Sequence, residues 1–128
     1  MLIHHVSILV KDFAAAKAFY TPLMEVFGYK PLYDIPDTYT GYFHEKKGYA
    51  EGSFGLSPSR TDHANNQHIG FSAESREQVE AFHKRALELG AKCNGPPGLR
   101  PQYGPTYYAS FVIDADGNNI EAVYLGDA

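Results

Sequence analysis

The chain has 128 residues, enough for one domain with a buried core and too few for two ordinary ones. Hydrophobic residues make up 44% and charged residues 20%, the balance of a soluble globular protein, which argues against disorder. The net charge is −4, from 11 Lys and Arg against 15 Asp and Glu, and the basic residues are dispersed. Neither nucleic acid nor an anionic membrane surface is therefore expected as a partner.

The first segment, residues 3–10, is β-branched and loosely alternating, which predicts a strand. It has no basic n-region and meets Lys11 after a short apolar run, so neither a signal peptide nor a membrane span is expected there. Cys93 is the only cysteine. It allows no internal disulfide and no thiolate cluster, and a lone thiol fits a reducing, cytoplasmic setting. Asp12 then reads as the N-cap of a helix whose Phe13, Ala16, Phe19 and Tyr20 share one face. Pro22 is expected to kink or restart that helix, and Gly28 to end it. Short strands are predicted over residues 30–33, 40–44 and 53–57. Residues 59–66 are polar and read as a linker.

Beyond the linker, residues 67–73 predict a strand and Ser75-Arg76-Glu77-Gln78 a capping box. The following helix buries Val79, Phe82, Ala86 and Leu89 and stops at Gly90. Residues 94–101 are too rich in Pro and Gly for a sheet centre. A hairpin closes the chain, its strands at 107–113 and 120–124 joined through Asp114-Ala115-Asp116-Gly117-Asn118-Asn119.

An internal repeat organises these elements. His5-Val6-Ser7-Ile8 aligns with His68-Ile69-Gly70-Phe71 at an offset of 63 residues. At the same offset Ala18-Phe19 meets Ala81-Phe82 and Glu25 meets Glu88. The prediction is a single α+β domain of two β-α-β-β-β modules related by pseudo-twofold symmetry, module one at about 1–58 and module two at about 67–125, forming a half-open curved sheet or barrel.

His5 and His68 hold the same place in the two modules, and Glu121 lies in the last strand between apolar neighbours. If the modules fold alike and face each other, two imidazoles and one carboxylate form a set suited to a divalent metal with open coordination positions. Each also has a structural reading: a hydrogen-bonded strand His, or a solvated strand Glu. His44, His63, Tyr103, Tyr107 and Tyr108 are candidates for acid–base work, and nothing in their spacing selects one. Arg100, in the proline-stiffened stretch 97–105, is a candidate for pairing a substrate anion, with Tyr103 beside it. Tyr39, Tyr42 and Phe43 read as core first, and Phe19 and Phe82 as core.

His5-Val-Ser-Ile-Leu-Val10-Lys-Asp12, His68-Ile-Gly-Phe and Asp114-Ala-Asp116-Gly117-Asn-Asn-Ile120-Glu121 together resemble the glyoxalase / bleomycin-resistance / extradiol-dioxygenase group, the vicinal oxygen chelate superfamily, over essentially the whole chain. The resemblance implies metal ligands from the first and last strands of each module: His5, His68 and Glu121, with Gly55 at the fourth place. Gly55 offers no side chain. That departure counts against a glyoxalase I reaction and is compatible with three-ligand dioxygenases and thiol transferases. The implied cofactor is Fe, Mn, Ni or Zn, the substrate a small oxygen-chelating molecule, and the assembly a homodimer. The enzyme classes implied are lyase or isomerase, dioxygenase and thiol transferase. The alternative is a metal-free binding protein of the bleomycin-resistance type.

Overall fold

The computed structural model describes residues 2–59 and 67–126, and the chain divides after Asn65 into two compact units. The first contains β1 (His5–Val10), α1 (Phe13–Met24), a 3₁₀ turn (Glu25–Phe27), β2 (Tyr29–Ile35), β3 (Tyr39–His44) and β4 (Gly48–Pro58). Its sheet runs β1-β4-β3-β2, with β1 parallel to β4 and the other pairs antiparallel. Strand alternation sends Ile8, Val10, Tyr42, Phe54 and Leu56 into the core, where α1 contributes Ala16, Tyr20, Leu23 and Met24. The rings of Tyr20 and Phe54 meet at 5.2 Å.

Asp12 caps α1 as expected, its Oδ1 accepting the Ala15 N–H at 3.0 Å. The helix runs through Pro22 to Met24 instead of restarting there. Pro22 has no N–H for the Ala18 carbonyl, but Ala18 is exposed, so water can take its place. The last turn tightens to 3₁₀ and ends at Gly28, whose φ of 78° suits a glycine. Phe19 is half-buried, not a core residue. β2 passes the proline at 31 by a bulge between Lys30 and Tyr33.

The second unit contains β5 (His68–Ser72), α2 (Arg76–Glu88), β6 (Lys92–Leu99), β7 (Tyr108–Ile113) and β8 (Asn119–Tyr124). Its sheet runs β5-β8-β7-β6 with β5 parallel to β8. Val79, Phe82 and Ala86 of α2 are buried, as are Val112, Ile120 and Ala122 of the sheet. The Ser110 hydroxyl donates to the Val79 carbonyl across this layer. Ser75 accepts the Gln78 N–H at 3.1 Å, while the Gln78 side chain accepts from the Glu74 N–H, one residue earlier than a capping box requires. The proline-rich stretch does join the sheet, as its edge strand β6, where the missing N–H groups cost no ladder partner.

The two units are thus α+β modules of the same design. The turn between β7 and β8 is built on a buried pair. Asp114 Oδ1 accepts the N–H groups of Asp116 and Asn118, and Oδ2 accepts the Asn118 amide. Asn118 Oδ1 in turn accepts the Gln67 N–H at 2.9 Å, fastening the turn to the start of β5. Among the described residues no helix is long and apolar enough to cross a membrane.

Candidate functional site

On the second unit's sheet, the pleat puts His68, Phe111 and Glu121 on the face opposite the one that α2 covers. There a chain of side-chain hydrogen bonds runs across three strands. Tyr107, just before β7, donates its hydroxyl to Glu121 Oε2. His68 Nε2 lies 2.9 Å from Glu121 Oε1. The Asn119 amide nitrogen lies 2.6 Å from His68 Nδ1, and Asn94 Nδ2 donates to Asn119 Oδ1 at 3.2 Å. The Glu121 side chain is 5% exposed and that of His68 is 51% exposed. A buried carboxylate is tolerable here because both of its oxygens accept a hydrogen bond.

The Tyr107 phenol is pushed up from 10.0 to about 12, first by burial, then by its bond to Glu121 and that residue's charge, with Tyr103 adding to the effect. At neutral pH it is a donor, not a base. Tyr103 stands beside it, 64% exposed, with the rings 5.2 Å apart.

Arg100 is folded back onto β6. Its guanidinium donates to the carbonyls of Pro96 and Gly98 and lies 5.4 Å from the centre of the Phe111 ring. That same ring is 6.3 Å from His68. Among the described residues no carboxylate lies within ion-pairing distance of Arg100. Its backbone N–H bonds the Tyr107 carbonyl, so the loop carrying Tyr103 is closed at its base.

In the first unit His5 sits in β1 with its Nδ1 3.0 Å from Nδ1 of His4. His4 Nε2 is 2.9 Å from the Tyr49 carbonyl. The strand registers confirm the repeat at residue level: Ser7 pairs with Gly55 as Gly70 pairs with Glu121, and His5 with Ser53 as His68 with Asn119. Gly55 therefore holds the place of Glu121, and the Tyr39 hydroxyl fills the space a side chain would need there.

The remaining candidates lie elsewhere. His44 serves the β3–β4 turn, its Nδ1 accepting the N–H groups of Lys46 and Lys47. Tyr108 points to the helix side and donates to Glu80. His63 lies outside the described residues. Asn94 and Asn119 were missed from the sequence. The signal for Asn119 is its i, i+2 spacing from Glu121, which places both on one face; Asn94 has none, because an edge-strand bulge aims it.

As a donor set, one imidazole nitrogen and one carboxylate oxygen converging on the same point fit a first-row divalent ion. Within neither unit do three or more His, Cys, Asp or Glu side chains gather among the described residues. The second unit thus offers two donors.

The family model described as Glyoxalase/Bleomycin resistance protein/Dioxygenase superfamily matches residues 2–122. No curated protein matches the chain. Among solved structures, a glyoxalase/bleomycin resistance protein from Albidiferax ferrireducens T118 is similar at 28% identity and a TM-score of 0.78, covering 97% of this chain and 98% of that one. A lactoylglutathione lyase from Agrobacterium tumefaciens is 21% identical with a TM-score of 0.68, covering 95% and 92%. A mutant fosfomycin resistance protein from Listeria monocytogenes, solved with Mn(II) and 1S,2S-dihydroxypropylphosphonic acid, is 20% identical with a TM-score of 0.66, covering 94% and 87%. At such identities the last two share the fold alone.

Proposed function

Because the chain belongs to the glyoxalase/bleomycin resistance protein/dioxygenase superfamily, we propose that it binds a small oxygen-chelating substrate at a divalent metal held by His68, Glu121 and His5. The observation that carries this reading is the 2.9 Å approach of His68 Nε2 to Glu121 Oε1 on the open face of the sheet. His5 enters as third donor through the repeat, since it holds in β1 the place of His68 in β5. Gly55 supplies no fourth donor, which leaves positions for substrate and favours oxygenation or group transfer over a four-ligand isomerase. The Listeria neighbour's Mn(II) is in keeping with this.

When bound, the metal supplies Lewis-acid polarisation of vicinal substrate oxygens. The protein's own groups bind and orient. Tyr107 holds its proton against Glu121 and keeps that carboxylate aimed. Arg100, with no carboxylate partner among the described residues, carries positive charge beside Phe111 for an anionic substrate group. Tyr103 offers an exposed ring to an apolar part. The reading extends to a cytoplasmic homodimer that takes a small molecule and neither nucleic acid nor membrane.

Titration of the purified protein with Mn(II), Fe(II), Ni(II) and Zn(II) tests this, with Glu121→Gln as control. Binding of at least one ion that Glu121→Gln weakens at least tenfold supports it. Uptake of none sets it aside.

One observation favours a second reading, a metal-free binding protein: Tyr107, Glu121, His68 and Asn119 satisfy one another without an ion. Ligand binding that survives a chelator unchanged would select it.

A further inference from the structure

The half-buried Arg100 is gripped by one side of its guanidinium. Nη1 donates to the Gly98 carbonyl at 2.8 Å and to the Leu99 carbonyl at 3.4 Å, and Nη2 donates to the Pro96 carbonyl at 2.6 Å. A guanidinium carries five N–H donors in one rigid plane. Its Nε–H and one N–H of Nη2 are therefore left without a partner among the described residues. The carbonyls of residues 96–99 take the Nη1 side, so the open donors share the Nε–Nη2 edge. Two glycines make this pose possible. A Cβ on Gly95 would stand 3.1 Å from Nη2, and one on Gly98 3.2 Å from Nη1, so side chains there would push the guanidinium off the strand. The run Gly95-Pro96-Pro97-Gly98 thus joins open space at its ends to stiff backbone between them.

We propose that Gly95 and Gly98 are positioning residues that set Arg100 as a clamp for a planar carboxylate, so that the molecule taken at this face is a monocarboxylate. The open edge stands on the hydrogen bonds alone; that its ligand is the substrate rests on the function proposed above. Two neighbouring N–H groups on one edge match the two oxygens of a carboxylate, and one guanidinium balances one negative charge. A tetrahedral dianion such as a phosphonate would bring a third oxygen and a second charge that this edge does not meet. Phe111 lies 5.4 Å from the guanidinium carbon and 6.3 Å from the His68 ring, so the clamp borders the face where His68 and Glu121 meet.

The test is titration of the metal-free protein with benzoate, read at the Arg100 Nε–H resonance, where a saturable shift is expected. Arg100→Lys keeps the charge and loses the paired edge, and should weaken benzoate about tenfold, the worth of one charge-assisted hydrogen bond. Gly98→Ala keeps Arg100 and crowds Nη1, and should also weaken benzoate. Phenylphosphonate, with the same ring on a tetrahedral dianion, should bind more weakly than benzoate. No saturable shift, undiminished benzoate affinity in either variant, or tighter binding of phenylphosphonate overturns the proposal. Benzoate bound as expected by a chain that takes up no Mn(II) overturns the metal reading and leaves the clamp standing. Mn(II) taken up by a chain that ignores benzoate does the reverse.

Discussion

The hydroxyl of Tyr39 lies directly over Gly55, in the space a Cβ on that residue would occupy, and bonds Ser7 Oγ at 3.2 Å. The first unit thus fills with a neighbouring phenol the place where the second unit carries Glu121. Gly55→Ala is expected to destabilise the fold by about 1–3 kcal/mol, because the ring must be displaced. Urea denaturation checks this, and a Tyr39→Ala background should remove most of the cost. An equal cost in both backgrounds would place the strain elsewhere.

Asn118 links the β7–β8 turn to the start of β5. Asn118→Ala withdraws one partner from the buried Asp114 Oδ2 and one from the N–H of the exposed Gln67. A loss of about 1–3 kcal/mol is expected, the usual cost of withdrawing a buried hydrogen-bonding partner. The urea midpoint should fall, and the Gln67 amide should exchange faster than in the unmodified chain. Unchanged exchange at Gln67 would contradict the link.

Tyr107 makes a pH prediction whose sign is fixed by its protonated form. The folded phenol sits at about 12 against 10.0 for the free side chain. Its contribution to stability is therefore complete below pH 10 and is lost as pH rises from there through about 12. Tyrosinate absorbance should show a late-titrating phenol that Tyr107→Phe removes, and the variant's stability should fall less steeply over that window. Identical alkaline profiles would show that Glu121 does not hold the Tyr107 proton.

Much of this architecture is legible in local chemistry. Asp12 and Ser75 announce their helices because capping is a short-range event, and Gly28 and Gly90 end them for the same reason. His68 and Glu121 could be paired from the sequence because the repeat and the period of a strand put them in corresponding places. Their companions are less legible: Tyr107 stands among five acid–base candidates that spacing does not separate, and Asn94 is not among the candidates. Tyr107 reaches Glu121 through the antiparallel register, and Asn94 reaches Asn119 through bulges in β6. Both depend on which residues lie opposite across strands, which spacing along one strand does not encode. Arg100 shows the same limit: its loop was legible as stiff, but not its folding back onto the carbonyls of Pro96 and Gly98.

The proposed function places a divalent metal at His5, His68 and Glu121. Elemental analysis of untagged protein purified without chelators tests it most directly, alongside His5→Ala and Glu121→Gln. Near-stoichiometric metal is expected in the unmodified chain and its loss in both variants, with circular dichroism unchanged. Metal retained at full occupancy in both variants, or none in any of the three even after Fe, Mn, Ni or Zn is supplied, would contradict it.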